Sequence, residues 1–175
     1  MKRIVLVSLA LLALAAAAFG QQTVTQAAVG AASTVASADM GPGIESLKAN
    51  AQEDYAVVSG DTLKAVSEAA YGDYRYWPIV YLTNKEAISN PERIEPGLAI
   101  KIYKLPFDAK APNELSKRLI AETYVQAYER YVALGASWTD ARRWVLLEAL
   151  RYAPNLFADY ASRIDDGDEA WYRSR

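Results

Sequence analysis

The sequence predicts an α+β fold. Two short strands precede and follow a pair of helices along the chain, and a small helical module comes after them. Strand-forming residues occur at positions 55–58, and apolar residues alternate again at positions 98–102. Between these segments, apolar residues recur at helical spacing on both sides of Gly72, and the same spacing returns beyond Pro106. A two-stranded antiparallel sheet is marginally stable alone, so both helices are expected to cover one face of it.

The composition limits the class of protein before any motif is considered. The 175 residues are 52% apolar and 23% charged, which is typical of a folded chain. The sequence contains no cysteine and no histidine. These absences exclude disulfides, zinc sites of the usual kind and histidine-dependent catalytic triads.

Residues 1–20 are typical of a secretory signal peptide. The basic pair Lys2-Arg3 precedes an uncharged apolar run from Ile4 to Phe19, and Ala18 and Gly20 are small residues suited to signal-peptidase cleavage. A retained transmembrane anchor is the alternative, but it needs about 20 apolar residues. No cysteine follows the run, so we expect no lipid anchor. We therefore predict a periplasmic or extracellular protein, with no membrane attachment after cleavage.

The charge balance of the mature chain limits its partners. Cleavage after Gly20 removes 20 of 175 residues and two of 19 basic side chains, which leaves 155 residues with 17 basic and 21 acidic groups, a net charge of −4. A mildly acidic protein lacks the excess positive charge that attracts the phosphates of nucleic acid, so we expect no nucleic-acid partner.

Residues 21–53 are predicted to form a flexible linker rich in Ala, Ser, Thr and Gln. The segment has few large side chains, and Gly41-Pro42-Gly43 would break any regular structure. A short helix is expected at 44–52. The linker either acts as a spacer between the folded part and a membrane or partner, or is a terminal segment without a function of its own.

The first strand and helix are expected to follow directly. The strand over Tyr55–Val58 ends at Ser59-Gly60. Asp61 or Thr62 can cap the next helix, because either side-chain oxygen can accept a hydrogen bond from an amide of the first turn. The predicted buried face of this helix consists of Leu63, Val66, Ala70 and Tyr71.

The second helix and strand are expected before residue 103. Asp73 can cap the helix, and Pro78 must lie in its first turn, where its missing amide hydrogen costs least. Asn90-Pro91 and Pro96-Gly97 are turn signals. The residues predicted for the apolar face of this helix are Trp77, Val80 and Tyr81, with Tyr74 left open as a fourth. Those that alternate in the second strand are Leu98, Ile100 and Ile102.

Residues 54 to about 103 resemble a LysM domain, and we assign the domain to residues 54–105. The resemblance rests on many motifs in the family's order: Gly60-Asp61-Thr62-Leu63, Tyr71-Gly72-Asp73, Trp77 with Ile79 and Tyr81, Asn84, Ile88, Asn90-Pro91, Ile94 and Pro96-Gly97. It covers under a third of the chain. It departs at Leu98-Ala99-Ile100, where a polar residue commonly follows the glycine.

The resemblance implies a βααβ fold and a groove that binds the N-acetylglucosamine units of peptidoglycan or chitin. In the family this groove lies between the first strand–helix turn and the loop before the second strand. Carried over by motif, the first wall consists of Gly60, Asp61, Thr62 and Leu63, and the second wall of Ile88, Asn90, Pro91 and Ile94. Backbone groups of the turns would hydrogen-bond the acetamido group, while apolar side chains would pack against its methyl group and the sugar ring.

Each of these residues also has a purely structural explanation. Asp61 and Thr62 would cap a helix in any protein, and Asn90-Pro91 would form a turn. Leu63 and Ile94 can be core residues. Trp77 is interpreted as a core residue rather than a sugar platform, because its spacing with Val80 and Tyr81 places it on the buried face.

Residues 113–165 are predicted to form a helical module, followed by a tail at 166–175. Asn113 begins the first helix and Gly135 ends it. Residues 137–140 resemble a capping box, before a helix that is apolar around most of its girth and is expected to be buried. A third helix is expected to run from Leu156 to Ile164 and to end at residues 165–168.

We predict no enzymatic activity, no cofactor and no metal. A muramidase needs two carboxylates that face each other across a cleft. Glu148 is the best candidate for one of them, but Arg151 can pair with it. Arg118 can pair with Glu122 in the same way. Residues 165–168 lack the acidic ladder of a calcium loop. Two functions remain: a non-catalytic peptidoglycan-binding protein of the bacterial envelope, or an envelope interaction protein whose helical module binds a protein partner.

Overall fold

The computed structural model describes residues 43–175; the predicted signal peptide and most of the predicted linker lie outside this range. The described residues fold as one compact unit. The regular elements are α1 (Ile44–Leu47), β1 (Gln52–Ala56), α2 (Leu63–Tyr71), α3 (Trp77–Thr83), β2 (Ala99–Tyr103), α4 (Glu114–Leu134), α5 (Thr139–Ala149), α6 (Leu156–Asp159) and α7 (Asp166–Arg173). Short 3-10 turns at Tyr74–Tyr76 and Ala136–Trp138 precede α3 and α5.

The two strands form the antiparallel sheet that the sequence predicts, and the α+β fold class is confirmed. Tyr55 of β1 pairs with Ile100 of β2. The pairing extends past β1, because the Val57 amide donates to the Leu98 carbonyl at 2.9 Å and the Val57 carbonyl accepts from the Gly97 amide at 2.8 Å. Val58, predicted to belong to the strand, lies beyond it and is 59% exposed.

Helix α2 begins at Thr62, whose Oγ1 accepts from the Ala65 amide at 3.1 Å. Of the four residues predicted for its buried face, Leu63 and Val66 are buried, whereas Ala70 is exposed. Ser67 is buried instead, because its hydroxyl donates to the Asp73 carbonyl at 2.8 Å and so is satisfied inside the protein. Gly72 ends the helix with a φ of 72°.

Helix α3 is the centre of the core. All seven of its residues are buried, and it packs against β2 and α2. Pro78 lies in its first turn, as predicted. Asn84 fixes the helix to the sheet, because its side-chain amide donates to the Lys101 carbonyl at 2.8 Å and accepts from the Lys101 amide at 2.7 Å.

The predicted linker ends earlier than expected. Helix α1 packs against α3, and Leu47 is fully buried. Residues 44–53 are therefore part of the fold, because Ile44 and Leu47 give this otherwise polar stretch two side chains large enough to anchor it.

The helical module differs from the prediction at three places. The predicted third helix, Leu156 to Ile164, is helical only over α6, Leu156–Asp159. Asn113 and Gly135 bound α4 as predicted. Residues 137–140 form no capping box, since Ser137 lies inside a 3-10 turn and no side chain caps α5. Residues 165–168 begin a helix rather than end one: the Asp165 carboxylate accepts from the Gly167 amide at 2.9 Å and caps α7.

The helical module packs on the βααβ part through aromatic side chains of α4. Trp77 makes edge contacts with Tyr124 and Tyr131 at ring distances of 6.2 and 6.5 Å. The Tyr124 hydroxyl donates to the Arg75 carbonyl at 2.7 Å. Trp77 is 6% exposed, which confirms its interpretation as a core residue.

Among residues 43–175, no helix has both the length and the apolar character needed to cross a bilayer.

Candidate functional site

The two predicted groove walls border one recess in the surface. The recess has a volume of about 110 Å³. Thr62 and Leu63 of the first wall and Pro91 of the second wall line it, together with Lys64, Trp77, Glu92 and Tyr131. The structure therefore brings the two segments together, and it adds side chains that the sequence did not point to.

The first wall is a rigid turn. Gly60 adopts a φ of 93°, in the left-handed region that favours glycine. The Asp61 carboxylate accepts hydrogen bonds from the Val58 amide and the Tyr55 hydroxyl, both at 2.8 Å. Asp61 therefore holds the turn in place through these two hydrogen bonds. The hydrogen bond to Asp61 also raises the pKa of Tyr55. Thr62, not Asp61, caps the helix.

The second wall is a loop closed by Asn90. The Asn90 side-chain oxygen accepts from the Glu92 amide at 3.0 Å, and Asn90 forms an isolated bridge with Arg93. Ile88 and Ile94 are only 2% and 8% exposed. These two side chains and Leu63, at 3%, are core residues, so the exposed surface of the recess comes from other side chains.

The accessible charged groups of the recess are Lys64 and Glu92. Both are exposed, and they come from opposite walls. Neither stands out in the sequence, because an exposed lysine on a helix and a glutamate in a loop are ordinary surface residues. Only the folded arrangement shows that they share one recess.

Helix α4 holds the second wall in place. The Tyr131 hydroxyl donates to a Glu92 carboxylate oxygen in a short hydrogen bond. The Arg130 guanidinium donates from Nη2 and Nε to the Ser89 carbonyl at 2.5 and 2.9 Å. Burial, and then the bond to Glu92, raises the pKa of Tyr131, so its hydroxyl remains a donor throughout the neutral range.

The recess opens into a larger cleft between the βααβ part and α5. The cleft has a volume of about 320 Å³ and shares Lys64, Trp77, Glu92 and Tyr131 with the recess. Tyr74, in the 3-10 turn before α3, and Trp144, on α5, both line it. Tyr74 is 46% exposed and Trp144 is 58% exposed. The prediction that Trp144 is buried is wrong, because the residues that α5 buries are Val145, Leu146 and Ala149.

Glu148 also lines the cleft, and it is held by a cation. Its Oε2 lies 2.9 Å from Arg151 Nε, which confirms the predicted pairing, although the N–H is not aligned for a hydrogen bond. Glu122 pairs with Arg163 at 2.9 Å, and Arg163 also pairs with Glu129 at 2.7 Å. These carboxylates are neutralised within the fold.

Residues 165–168 use their carboxylates for structure. Asp168 is fully buried, lies 2.6 and 2.8 Å from Nε of Arg142 and Arg143, and accepts from the Tyr128 hydroxyl at 3.0 Å. The Arg142 contact is an ion pair without hydrogen-bond alignment. Within residues 43–175, no cluster of three or more acidic side chains is placed to hold a metal ion.

Comparison with known proteins gives one partial relative. The chain is 37% identical over 54 residues to the potassium binding protein Kbp of Escherichia coli O6:H1, a match that covers 31% of this chain and 36% of that protein. No protein-family model matches the chain. No solved structure matches it either. The chain therefore shares with Kbp a segment that spans about a third of each protein.

Proposed function

We propose that this protein is a non-catalytic, exported glycan-binding protein of the bacterial cell envelope. Its ligand would be the N-acetylglucosamine-containing strand of peptidoglycan or a chitin-type oligosaccharide. The observation that carries the proposal is the recess between residues 60–63 and 88–94, the place that the LysM resemblance implies for the sugar.

The chemistry of the recess suits an acetylated sugar. An N-acetyl group needs a donor, an acceptor and a small apolar contact. Thr62 and Glu92 bring the peptide groups of both turns to the recess, and the exposed side chains of Lys64 and Glu92 can supply a donor and an acceptor. Leu63 and Pro91 are largely buried, and the small part of them that lines the recess can supply the apolar contact. A site of this size binds weakly, and we expect dissociation constants in the micromolar to millimolar range, about −8 to −4 kcal/mol.

A titration with chitotriose tests the proposal. Amide resonances of residues 60–63 and 88–94 should shift, and Lys64→Ala should weaken binding by about threefold to tenfold, as expected for one hydrogen bond. Lys110→Ala is a matched control, because Lys110 is an exposed lysine of the segment between β2 and α4. Absence of shifts at millimolar ligand, with no sedimentation on purified sacculi, would reject the proposal.

The alternative is an interaction protein whose helical module binds a protein partner. The tyrosines of α4 do not favour it, because Tyr124, Tyr128 and Tyr131 are all at most 1% exposed and are used within the fold. The alternative predicts a stable complex with a protein in the absence of glycan. Sedimentation on protein-free sacculi distinguishes the two functions.

The likeness to Kbp favours a second candidate function, the binding of potassium. Because the described residues hold no suitable acidic cluster, such a site would have to use carbonyl oxygens, which are the ligands that potassium takes in channel filters. Potassium binding to the folded state would raise the unfolding temperature in KCl above that in NaCl of equal ionic strength. Identical unfolding temperatures in the two salts would rule this candidate out.

A further inference from the structure

We infer that the aromatic cleft beside the recess is a second sugar subsite, formed jointly by the 3-10 turn before α3 and by α5. This inference rests on the proposed function and extends it, because it makes the helical module part of the binding site. The ligand would then be a glycan strand of several units rather than a single acetylated sugar.

The dimensions of the two cavities support an extended ligand. Small-molecule sites usually measure about 300–1,000 Å³. The recess alone, at about 110 Å³, falls below this range, whereas the cleft, at about 320 Å³, lies within it. The two cavities share four lining residues and therefore adjoin, so that linked sugars can reach from one to the other.

The exposed aromatic side chains indicate what the cleft would hold. Tyr74 and Trp144 are exposed, whereas the other aromatic side chains of residues 43–175 are buried or half-buried. A large amphipathic ring at a cleft wall can pack against the apolar C–H face of a pyranose while its edge stays in water. Lys64 and Glu148 line the same cleft as the two rings and can hydrogen-bond the sugar hydroxyls.

Trp144 is oriented before any ligand arrives. The Arg175 guanidinium lies 5.9 Å from the centre of the Trp144 ring and 4.5 Å from that of Trp171. Arg143 lies 5.0 Å from the Trp171 ring, so a series of cations and rings connects Trp144 to α7. A ring that is already restrained loses less entropy on binding a sugar.

Comparing chitotriose with chitohexaose tests the inference in the full chain. The parent should bind the longer oligomer more tightly, and Trp144→Ala should reduce chitohexaose affinity about fivefold to tenfold. Its chitotriose affinity should fall by less, because the shorter oligomer has fewer units that lie outside the recess. Tyr74→Ala should act in the same direction, which guards against a local packing effect of one substitution. Leu115→Ala, which removes an exposed apolar side chain of α4 outside the cleft, is the control.

The outcomes separate this inference from the function on which it rests. If the parent binds neither oligomer, the proposed function fails and the subsite fails with it. If the parent binds both oligomers and Trp144→Ala and Tyr74→Ala bind both as the parent does, glycan binding stands and the subsite is overturned. A greater loss of affinity for chitohexaose than for chitotriose, with native circular dichroism, supports the subsite.

Discussion

At the scale of single residues, short polar side chains fix the backbone around the recess. Asp61 joins β1 to the following turn, since one carboxylate oxygen accepts from both Val58 and Tyr55. Asp73 does the same for the 3-10 turn, accepting from the Arg75 amide at 2.9 Å and from its guanidinium at 2.8 Å. Both carboxylates therefore determine where exposed neighbours such as Thr62 and Tyr74 can point.

Replacing Asp61 with alanine should destabilise the fold. The change removes one acceptor from two donors that water can reach, so we expect a loss of about 0.5–1.5 kcal/mol in the free energy of unfolding, measured by urea denaturation. Ser59→Ala is the control, because Ser59 is exposed in the same turn. Equal stabilities of the two variants would contradict the bracing role of Asp61.

Asp73 should make stability depend on pH. Its hydrogen bonds to Arg75 lower its pKa below the model-compound value of 3.8. The stabilisation is therefore fully present above pH 3.8 and is lost as the pH falls through the lower folded-state pKa. Asp73→Asn should cost about 1 kcal/mol at neutral pH, a modest value because solvent partly screens the pair.

The measurement is urea denaturation of parent and Asp73→Asn at a series of pH values. Their difference in the free energy of unfolding should shrink toward zero below the folded-state pKa. The exposed residue Asp54 provides the control variant Asp54→Asn, for which we expect no comparable difference at neutral pH. A difference for Asp73→Asn that grows on acidification would contradict the sign of the shift.

At the scale of elements, α4 determines the position of the second wall. Tyr131 and Arg130 are consecutive residues of one helix, and they bind Glu92 and the Ser89 carbonyl. The loop from 84 to 98 contains no helix or strand of its own. Its conformation therefore depends on its internal turn at Asn90 and on this support from α4.

Removing the Tyr131 hydroxyl should loosen this loop. Tyr131→Phe keeps the ring packed on Trp77 but removes the donor to Glu92. We expect the free energy of unfolding to fall by about 1 kcal/mol. The loss is small because Glu92 is exposed and water can replace the hydroxyl. Amide hydrogen exchange of residues 90–93 should accelerate. Tyr172→Phe, in α7, is the matched control and should leave exchange in the loop unchanged. Unchanged exchange in Tyr131→Phe would refute the support by α4.

Local signals predicted most elements, and tertiary contacts account for what they missed. The caps at Asn113 and Gly135, the early Pro78 and the two strand segments act within a few residues, so the sequence displays them. The hydrogen bond between Tyr131 and Glu92 joins residues 39 positions apart, and no sequence pattern in either segment predicts it. Helix α5 is apolar on most sides, so only its packing against α4 decides that Val145 is buried and Trp144 exposed.

Residues 165–168 show the same limit. They are predicted to end a helix, and the Asp165 carboxylate instead caps the start of one. The choice depends on Arg142 and Arg143 of α5, which neutralise Asp168 and let it lie inside the fold at the start of α7. For the recess, the resemblance located the walls, but the exposed side chains that can meet a ligand became visible only in the folded chain.

At the scale of the whole molecule, the βααβ part and the helical module share one core. Trp77 contacts rings of α4, the Tyr124 hydroxyl reaches the Arg75 carbonyl, and the Tyr76 hydroxyl donates to the Ala109 carbonyl at 2.5 Å. The Tyr76 contact is with the segment between β2 and α4, and the other two contacts join the two parts directly. Separating the parts would break these contacts and expose Trp77 and the rings of α4 to water.

The described part of the chain should therefore unfold in a single transition. In a variant that carries Trp138→Phe, Trp144→Phe and Trp171→Phe, fluorescence reports on Trp77 alone, at the contact between α3 and α4. Its urea transition should coincide with that of far-ultraviolet circular dichroism, which reports on all helices. A fragment of residues 43–105 should be less stable than residues 43–175, because Trp77 and Tyr76 lose their cover. Two separate transitions, or a fragment as stable as the longer chain, would show that the parts fold independently and that the cleft between them is free to open.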